Sequence, residues 1–233
     1  MQDTGKMGHA SRFLSLAYAV ASPLYDLLVW WGFIPLGGER ACRREFVRWL
    51  DLEPGLRVAS LCCGTGSMER AMLAEVPGLS ITGVDLGRGQ IARARKKLRD
   101  LEVAYILGNA AGTGLPGERY DRVLIGLALH EMPRSTRLAV LREACRLCAP
   151  EGRVLAIEHG RPVTRASQLL RWLWWFFWIP GNPEVPTSRD LQMHGLDNEM
   201  FECGLTVLER HTTQPDWIEA FMAMPSAQAL GSA

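Results

Sequence analysis

Short apolar runs alternate along the chain with stretches whose apolar residues recur at helical spacing. The short runs predict seven strands, at residues 57–61, 80–84, 103–107, 122–127, 153–158, 205–210 and 218–224. Helices are predicted between them, at residues 67–75, 90–98, 137–147 and 191–202. This alternation predicts an α/β fold with a doubly wound, mostly parallel, seven-stranded sheet. Because 48% of the 233 residues are hydrophobic, residues 1–233 are predicted to form a single domain around one core.

A glycine turn follows the first predicted strand. Gly64 and Gly66 let the backbone turn tightly and approach a ligand, and the helix beginning near Ser67 presents unpaired N–H groups there. The second predicted strand leads into Asp85, whose carboxylate can accept hydrogen bonds from both hydroxyls of a ribose. These features predict a nucleoside site beyond the carboxyl ends of the strands.

The position of the usual third glycine distinguishes between nucleosides. A dinucleotide site uses the pattern G-x-G-x-x-G, but Glu69 occupies the third place here. A carboxylate in the first turn of the helix would repel a pyrophosphate, whereas a ligand with one carboxylate and one ammonium group needs less positive charge. S-adenosylmethionine is therefore favoured over NAD. A glycine turn without any ligand is the alternative, because such turns are common.

Further motifs follow in a fixed order: Asp85, Gly108-Asn109-Ala110, Ala128-Leu129-His130-Glu131-Met132-Pro133 and Leu141-Arg142-Glu143-Ala144. With these motifs the chain resembles, over residues 46–209, the class I S-adenosylmethionine-dependent methyltransferases, most of all their ubiquinone/menaquinone C-methyltransferase branch. The resemblance implies a Rossmann-like methyltransferase fold and S-adenosylmethionine as the cofactor. It also implies that the glycine turn contacts the methionine half of the cofactor, Asp85 its ribose and Asn109 its adenine amino group.

The predicted cofactor site gathers residues from the strand ends: Ser60, Cys62, Gly64, Gly66, Asp85, Leu86, Asn109, Ala110 and Leu127. Three of them depart from the family pattern. Ser60 stands where the family usually has an acid that helps to anchor the cofactor's ammonium group, and a hydroxyl cannot supply that charge. Cys62 replaces a glycine or alanine, and Asn109 replaces an aspartate, although its amide oxygen still accepts hydrogen bonds. A variant reaction, or a cofactor-binding protein without turnover, is the alternative.

An N-terminal segment, residues 13–38, is rich in apolar and aromatic side chains. Pro23 and Asp26 argue against a membrane span, which needs about 20 apolar residues without helix breakers or charges. Two amphipathic helices are predicted instead, within a helical lid at residues 1–50 that covers the cofactor mouth. The resembling family closes its lid with a Tyr-Asp pair, which Tyr25 and Asp26 match, so Tyr25 is predicted to bind substrate.

A second aromatic cluster lies at residues 169–180, inside a predicted substrate-side insertion at residues 160–200. Three interpretations are open: a buried lid over an apolar substrate, a surface that dips into the lipid headgroup region and gives peripheral membrane contact, or packing of the core. Trp172 and Trp175 are the predicted substrate contacts. The first two interpretations imply a hydrophobic, aromatic or lipid-like acceptor, with a demethylated quinol as the first hypothesis.

Methyl transfer depends mainly on alignment and on the exclusion of water. If the acceptor is a ring carbon beside a phenol, as the resemblance suggests, a base must also take a proton. His130 and His159 follow predicted strands and are the candidate catalytic residues, with His130 also predicted to touch substrate. A structural role is the alternative for each histidine.

Charge and cysteine content narrow the function classes. A formal net charge of +1 gives no basic field, so no nucleic-acid partner is expected. The six cysteines do not form the paired clusters expected of a structural zinc site, so no metal site is expected. Reduced thiols without a cleavable signal predict a cytoplasmic protein. Methylation of a phospholipid headgroup, or N-, O- or S-methylation of a small molecule, is the alternative to a quinol, and the oligomeric state is left open.

Overall fold

A seven-stranded sheet organises the computed structural model, which describes residues 37–160, 163–165, 167–169, 184–213 and 216–226. The strands are β1 (Arg57–Leu61), β2 (Ser80–Asp85), β3 (Val103–Leu107), β4 (Tyr120–Gly126), β5 (Cys148–His159), β6 (Leu205–Thr212) and β7 (Ile218–Pro225). The helices described are α1 (Glu39–Trp49), α2 (Ser67–Glu75), α3 (Arg88–Lys97), α4 (Arg134–Leu147), α5 (Glu184–His194) and α6 (Leu196–Glu202), with a 3₁₀ turn at Leu129–Glu131.

The strand order is β3-β2-β1-β4-β5-β7-β6. Strands β1 to β5 pair in parallel, while β7 pairs antiparallel with both β5 and β6. The predicted α/β fold with a doubly wound, mostly parallel sheet is therefore confirmed. The chain order reverses between β1 and β4, and sheets of this kind bind ligands beyond the strand ends at such a switch point.

The main core lies between β1, β4, β5 and helix α4. Alternation along β1 sends Ala59 and Leu61 into this core, while Ser60 faces the opposite side of the sheet. Helix α4 contributes the buried residues Leu138, Leu141, Ala144 and Leu147, which share one helical face. Because the central strands are covered, their carboxyl ends are held rigidly at one edge of the sheet.

A buried ion-pair network joins α4 to α5 and α6. Arg137 is fully buried, and its guanidinium donates to both oxygens of Glu199 at 2.7 and 2.9 Å. It also donates to Asp190 at 2.6 Å and to the backbone oxygen of Met132 at 2.8 Å. A buried guanidinium with this many acceptors fixes the position of the chain that follows the 3₁₀ turn.

The structure corrects two predicted elements. The predicted helix at 191–202 is two helices, α5 and α6, because Gly195 adopts a left-handed φ of 83° between them. The predicted turn at 149–152 lies inside β5, where a register shift against β4 absorbs the extra residues. Gly152 is needed there, because a Cβ atom would lie 2.8 Å from the Cys148 sulfur and 2.9 Å from the backbone oxygen of Tyr120.

Two compact units divide the chain, Met1–Cys42 and Arg43–Ala233. Within the residues described, none of the helices has the length and apolar character that a membrane crossing needs. Most of the predicted lid at residues 1–50 and the predicted aromatic cluster fall outside the residues described. The single-domain organisation, the lid and the insertion at 160–200 therefore stay predictions.

Candidate active site

The glycine turn lies between β1 and α2. Its backbone adopts left-handed conformations at Cys62, Gly64 and Gly66, with φ values of 57°, 54° and 77°. Gly66 cannot be replaced without movement, because a Cβ atom there would lie 2.5 Å from the Tyr105 hydroxyl oxygen. A left-handed cysteine stores strain, which is retained most often at functional sites. The turn is thus built to bring backbone close to a ligand.

The two cysteines of this turn are not nucleophiles. Burial raises the pKa of Cys62 to about 12, and burial also raises the pKa of Cys63. Both side chains therefore stay as thiols near neutral pH, whereas a reactive cysteine needs a lowered pKa. Cys62 also lies within electrostatic reach of both Asp85 and Glu158. Cys62 therefore lies where the glycine turn, the end of β2 and the end of β5 approach one another.

Asp85 ends β2 and braces the glycine turn. One carboxylate oxygen accepts the backbone N–H of Gly64 at 2.8 Å, and the other accepts that of Gly87 at 2.7 Å. Each oxygen keeps a second lone pair, so the carboxylate can accept ligand hydroxyls without releasing the turn. The side chain is half-buried at the sheet edge. Asp85 is therefore suited to hold a sugar and to shape the loop around it.

The other predicted cofactor contacts differ in how they could act. Leu86 is 71% exposed beside Asp85, which leaves an apolar surface for a flat base. The side-chain oxygen of Asn109 accepts the Ala111 N–H at 3.0 Å, so one of its lone pairs is already used within its own turn. Ala110 is buried in the core and could meet a ligand only through its backbone. Leu127 has a left-handed φ of 54° just beyond β4.

His130 lies in the middle of the 3₁₀ turn after β4 and pairs with Glu158 on β5. Its Nδ1 atom is 2.8 Å from a Glu158 oxygen, and the second Glu158 oxygen accepts the Leu129 N–H at 2.7 Å. Both side chains are buried. Burial alone would raise the pKa of Glu158, but the charge and hydrogen bond of His130, with smaller contributions from His159 and the Leu129 N–H, hold it below its usual value. Glu158 is thus a carboxylate that orients the imidazole.

His159 is the second histidine of this group and follows Glu158 directly. Its ring meets the His130 ring edge to face, with the centroids 4.4 Å apart. It is exposed, whereas His130 is buried. The structure therefore brings the two predicted catalytic residues together, and their different burial gives them different chemistry.

Residues 58–152 match a family model described as a methyltransferase domain. This segment is a methyltransferase domain, and it is similar to that of the class I S-adenosylmethionine-dependent methyltransferases. The matched segment of this methyltransferase domain runs from β1 into β5 and so contains the glycine turn, Asp85 and His130.

Curated relatives of the domain include two demethylmenaquinone methyltransferases. The protein of Bacillus cytotoxicus is 30% identical over 128 residues, 53% of this chain and 53% of the relative. The protein of Lactobacillus johnsonii is 29% identical over 153 residues, 64% of this chain and 61% of the relative. The chain thus spans about half to three fifths of the length of these relatives.

Solved structures share the fold of the domain at low sequence identity. A SAM dependent methyltransferase from Aquifex aeolicus has a TM-score of 0.61 and 16% identity, covering 78% of this chain and 89% of that one. Magnesium protoporphyrin IX methyltransferase from Synechocystis, solved with bound SAH, has a TM-score of 0.59 and 18% identity, covering 80% and 83%. These similarities support the Rossmann-like methyltransferase fold predicted from the sequence.

Two buried acids near the predicted site residues were not predicted from the sequence. Glu158 is the penultimate residue of β5, and its signal was an acid directly before a histidine at the end of a parallel strand. Glu69 is fully buried in the first turn of α2, although the sequence suggested only that it repels a pyrophosphate. The predicted substrate contacts Tyr25, Trp172 and Trp175 lie outside the residues described and stay predictions.

A separate group of ligand-type side chains lies away from the glycine turn. Asp190, His194 and Glu199 have potential ligand atoms within 4.8 Å of one another. The Arg137 guanidinium already bonds both carboxylates of this group, at 2.6 Å from Asp190 and 2.7 Å from Glu199. The Arg137 guanidinium therefore supplies the positive charge that a metal ion would otherwise bring. We interpret the group as an ion-pair network.

Proposed function

We propose that this protein transfers a methyl group from S-adenosylmethionine to a hydrophobic aromatic acceptor, with a demethylated quinol of the menaquinone type as the first candidate. One observation carries the proposal: a buried His130–Glu158 pair at the same sheet edge as the glycine turn and Asp85. A cofactor-binding protein without turnover has no need of an oriented imidazole there. The demethylmenaquinone methyltransferases among the relatives favour a quinol over other aromatic acceptors.

The cofactor side of the site fits a nucleoside with an amino-acid tail. Asp85 would accept the ribose hydroxyls, and the exposed Leu86 would lie against the adenine. The left-handed turn at Gly64 and Gly66 lets backbone N–H groups approach the tail, close to the positive end of the α2 dipole. Bound S-adenosylmethionine supplies a methyl group on a sulfonium, which is already a good leaving group.

The acceptor side follows from the orientation of His130. Because the Glu158 carboxylate accepts the Nδ1–H, the Nε2 atom is the nitrogen that takes a proton. A phenol that gives its proton to Nε2 becomes a phenolate, which raises the electron density on the neighbouring ring carbon. Once that carbon carries the methyl group, its C–H bond breaks and the ring proton is lost to solvent, which restores the aromatic ring. The imidazolium that forms is stabilised by the Glu158 charge. His130 therefore acts as a general base on the acceptor.

The acceptor is tested by supplying methyl-labelled S-adenosylmethionine with three compounds: a reduced demethylmenaquinone analogue, its oxidised form, and phosphatidylethanolamine in vesicles. Label is expected in the reduced compound, because only the quinol has a phenol for His130 to ionise. Transfer to the phospholipid alone would refute the quinol as acceptor. Binding of the cofactor without label in any acceptor would favour the alternative of a non-catalytic protein.

Replacing Asp85 with alanine is expected to weaken S-adenosylhomocysteine binding by about 2–4 kcal/mol, because both ribose hydroxyls lose a charged acceptor. Titration calorimetry measures the change. The unfolding midpoint of each variant must be measured in parallel, since Asp85 also braces Gly64 and Gly87. Asp121→Ala is the matched control, because Asp121 pairs with Arg57 at the opposite end of β1. Unchanged affinity of Asp85→Ala for S-adenosylhomocysteine would show that Asp85 does not bind the ribose.

A further inference from the structure

Glu69 is a buried acid whose described neighbours compensate only partly for its burial. It lies in the first turn of α2 and has no solvent exposure. In the part of the chain that the structure describes, neither carboxylate oxygen has a hydrogen-bond partner of standard geometry. Buried carboxylates are normally paired or multiply hydrogen-bonded, because removing the charge from water is costly. Its retention here requires an explanation.

The surroundings of Glu69 offset only part of that cost. Burial raises the pKa of its carboxyl, and the Ser60 hydroxyl and the charges of Arg43 and Lys97 lower it by less. Lys97 itself donates to the hydroxyl oxygens of Thr65 and Ser67, at 2.9 and 3.0 Å. The Glu69 backbone N–H also lowers this pKa, and the Tyr105 hydroxyl nearby is buried without a partner, yet the pKa of Glu69 stays raised. None of the uncharged groups supplies a positive charge, so a cationic donor would relieve the remaining cost.

The position of Glu69 is beneath the glycine turn. It interacts with Ser60 at the carboxyl end of β1, and after burial its charge is the next contribution to the raised pKa of both Cys63 in the turn and Tyr105 on β3. The side chain therefore points from α2 back toward the strand end that the proposed function assigns to the cofactor. Because Ser60 is small, it leaves room for the longer glutamate to reach this point.

Of the two cationic groups of the proposed cofactor, only one matches this carboxylate. The sulfonium is cationic but carries three carbon substituents and no N–H or O–H donor. The α-ammonium group carries a positive charge and three donors, so it can satisfy both carboxylate oxygens and the Ser60 hydroxyl. A carboxylate that meets this ammonium gains a charge-assisted hydrogen bond in a site shielded from water.

We propose that Glu69, with the Ser60 hydroxyl beside it, binds the ammonium group at the amino-acid end of S-adenosylmethionine. The acid that anchors the tail is thereby supplied by helix α2 and not by strand β1. This inference rests on the proposed function, since it assumes that this cofactor binds at the glycine turn. It also explains why Ser60 stands where the resembling family usually has an acid: the negative charge is carried by Glu69 instead.

The test compares two nucleosides that differ only at the tail. S-adenosylhomocysteine carries the amino-acid group, whereas 5′-methylthioadenosine lacks it. Calorimetry on Glu69→Gln is expected to show about 10- to 100-fold weaker S-adenosylhomocysteine binding, the scale of one charge-assisted hydrogen bond, with 5′-methylthioadenosine binding unchanged. The double variant Ser60→Asp/Glu69→Gln is expected to regain part of the loss, because the charge returns from the strand.

Thermal unfolding separates a binding role from a structural one. Without ligand, Glu69→Gln is expected to unfold at the same temperature as the wild type or higher, because a buried charge is removed. Equal weakening for both nucleosides, or unchanged S-adenosylhomocysteine binding, would overturn the inference while leaving the proposed function intact. If the wild type bound neither nucleoside, the proposed function itself would fail, and this inference with it.

Discussion

Replacing His130 with alanine is expected to lower the turnover number about 10²- to 10⁴-fold, the usual contribution of a positioned general base. The reason is geometric: His130 is the imidazole whose Nδ1 is held by the buried Glu158 carboxylate at 2.8 Å, so that Nε2 takes the acceptor's proton. Affinity for S-adenosylhomocysteine should stay within about threefold, because the base acts on the acceptor. Single-turnover assays with labelled cofactor, together with calorimetry, measure the two effects.

His194→Ala is the matched control, because His194 is an exposed histidine on α5 outside the glycine-turn site. Its turnover should equal that of the wild type. Glu158→Gln should lower turnover less than His130→Ala does. It should also move the acidic limb of the pH–rate profile to lower pH, because loss of the carboxylate lowers the basicity of His130. A large loss of turnover in His159→Ala, with none in His130→Ala, would show that His159 is the general base.

Replacing Arg137 with alanine is expected to reduce the free energy of unfolding by about 3–5 kcal/mol, since it leaves the buried Glu199 carboxylate without its main partner. Arg137 also ties Asp190 and the Met132 carbonyl to α4, so the helices after β5 would lose these polar links to α4. Urea denaturation monitored by circular dichroism gives the value. This is the largest stability effect expected from a single substitution in the described ion pairs.

Arg99→Ala is the control for that measurement, because Arg99 and Asp100 form a pair with side chains 76% and 86% exposed. Such surface pairs contribute about 0–1 kcal/mol, so its unfolding curve should nearly coincide with that of the wild type. The double variant Arg137→Leu/Glu199→Leu should regain much of the lost stability by removing both buried charges. Equal stability of Arg137→Ala and the wild type would show that solvent reaches the network.

Local rules were sufficient to predict the sheet and the place of Asp85 at its edge. Strand β1, strand β3 and helix α2 have the predicted bounds, because each is delimited by turn residues that act over a few positions. Asp85 was found because an acid at the end of the second strand has a fixed place in this topology. Gly195 carried a usable signal as well, since a glycine inside a helical pattern often marks a break.

The roles of Glu158 and Glu69 became visible only in the folded structure. Glu158 gains its role from His130, which is 28 residues away along the chain. No local rule pairs them, because the contact depends on the parallel alignment of β4 and β5. Glu69 looked like an ordinary acid in a first helical turn, where negative charge is favoured. Its helical phase gave the missed signal, since Glu69 shares its buried face with Met68 and Met72.

The central claim is that the nucleoside binds with its ribose at Asp85. A crystal structure with S-adenosylhomocysteine tests this directly. It is predicted to show both ribose hydroxyls about 2.6–3.2 Å from the Asp85 carboxylate, with the adenine against Leu86 and the ammonium at Glu69. A ligand found elsewhere, or a ribose turned away from Asp85, would contradict the account.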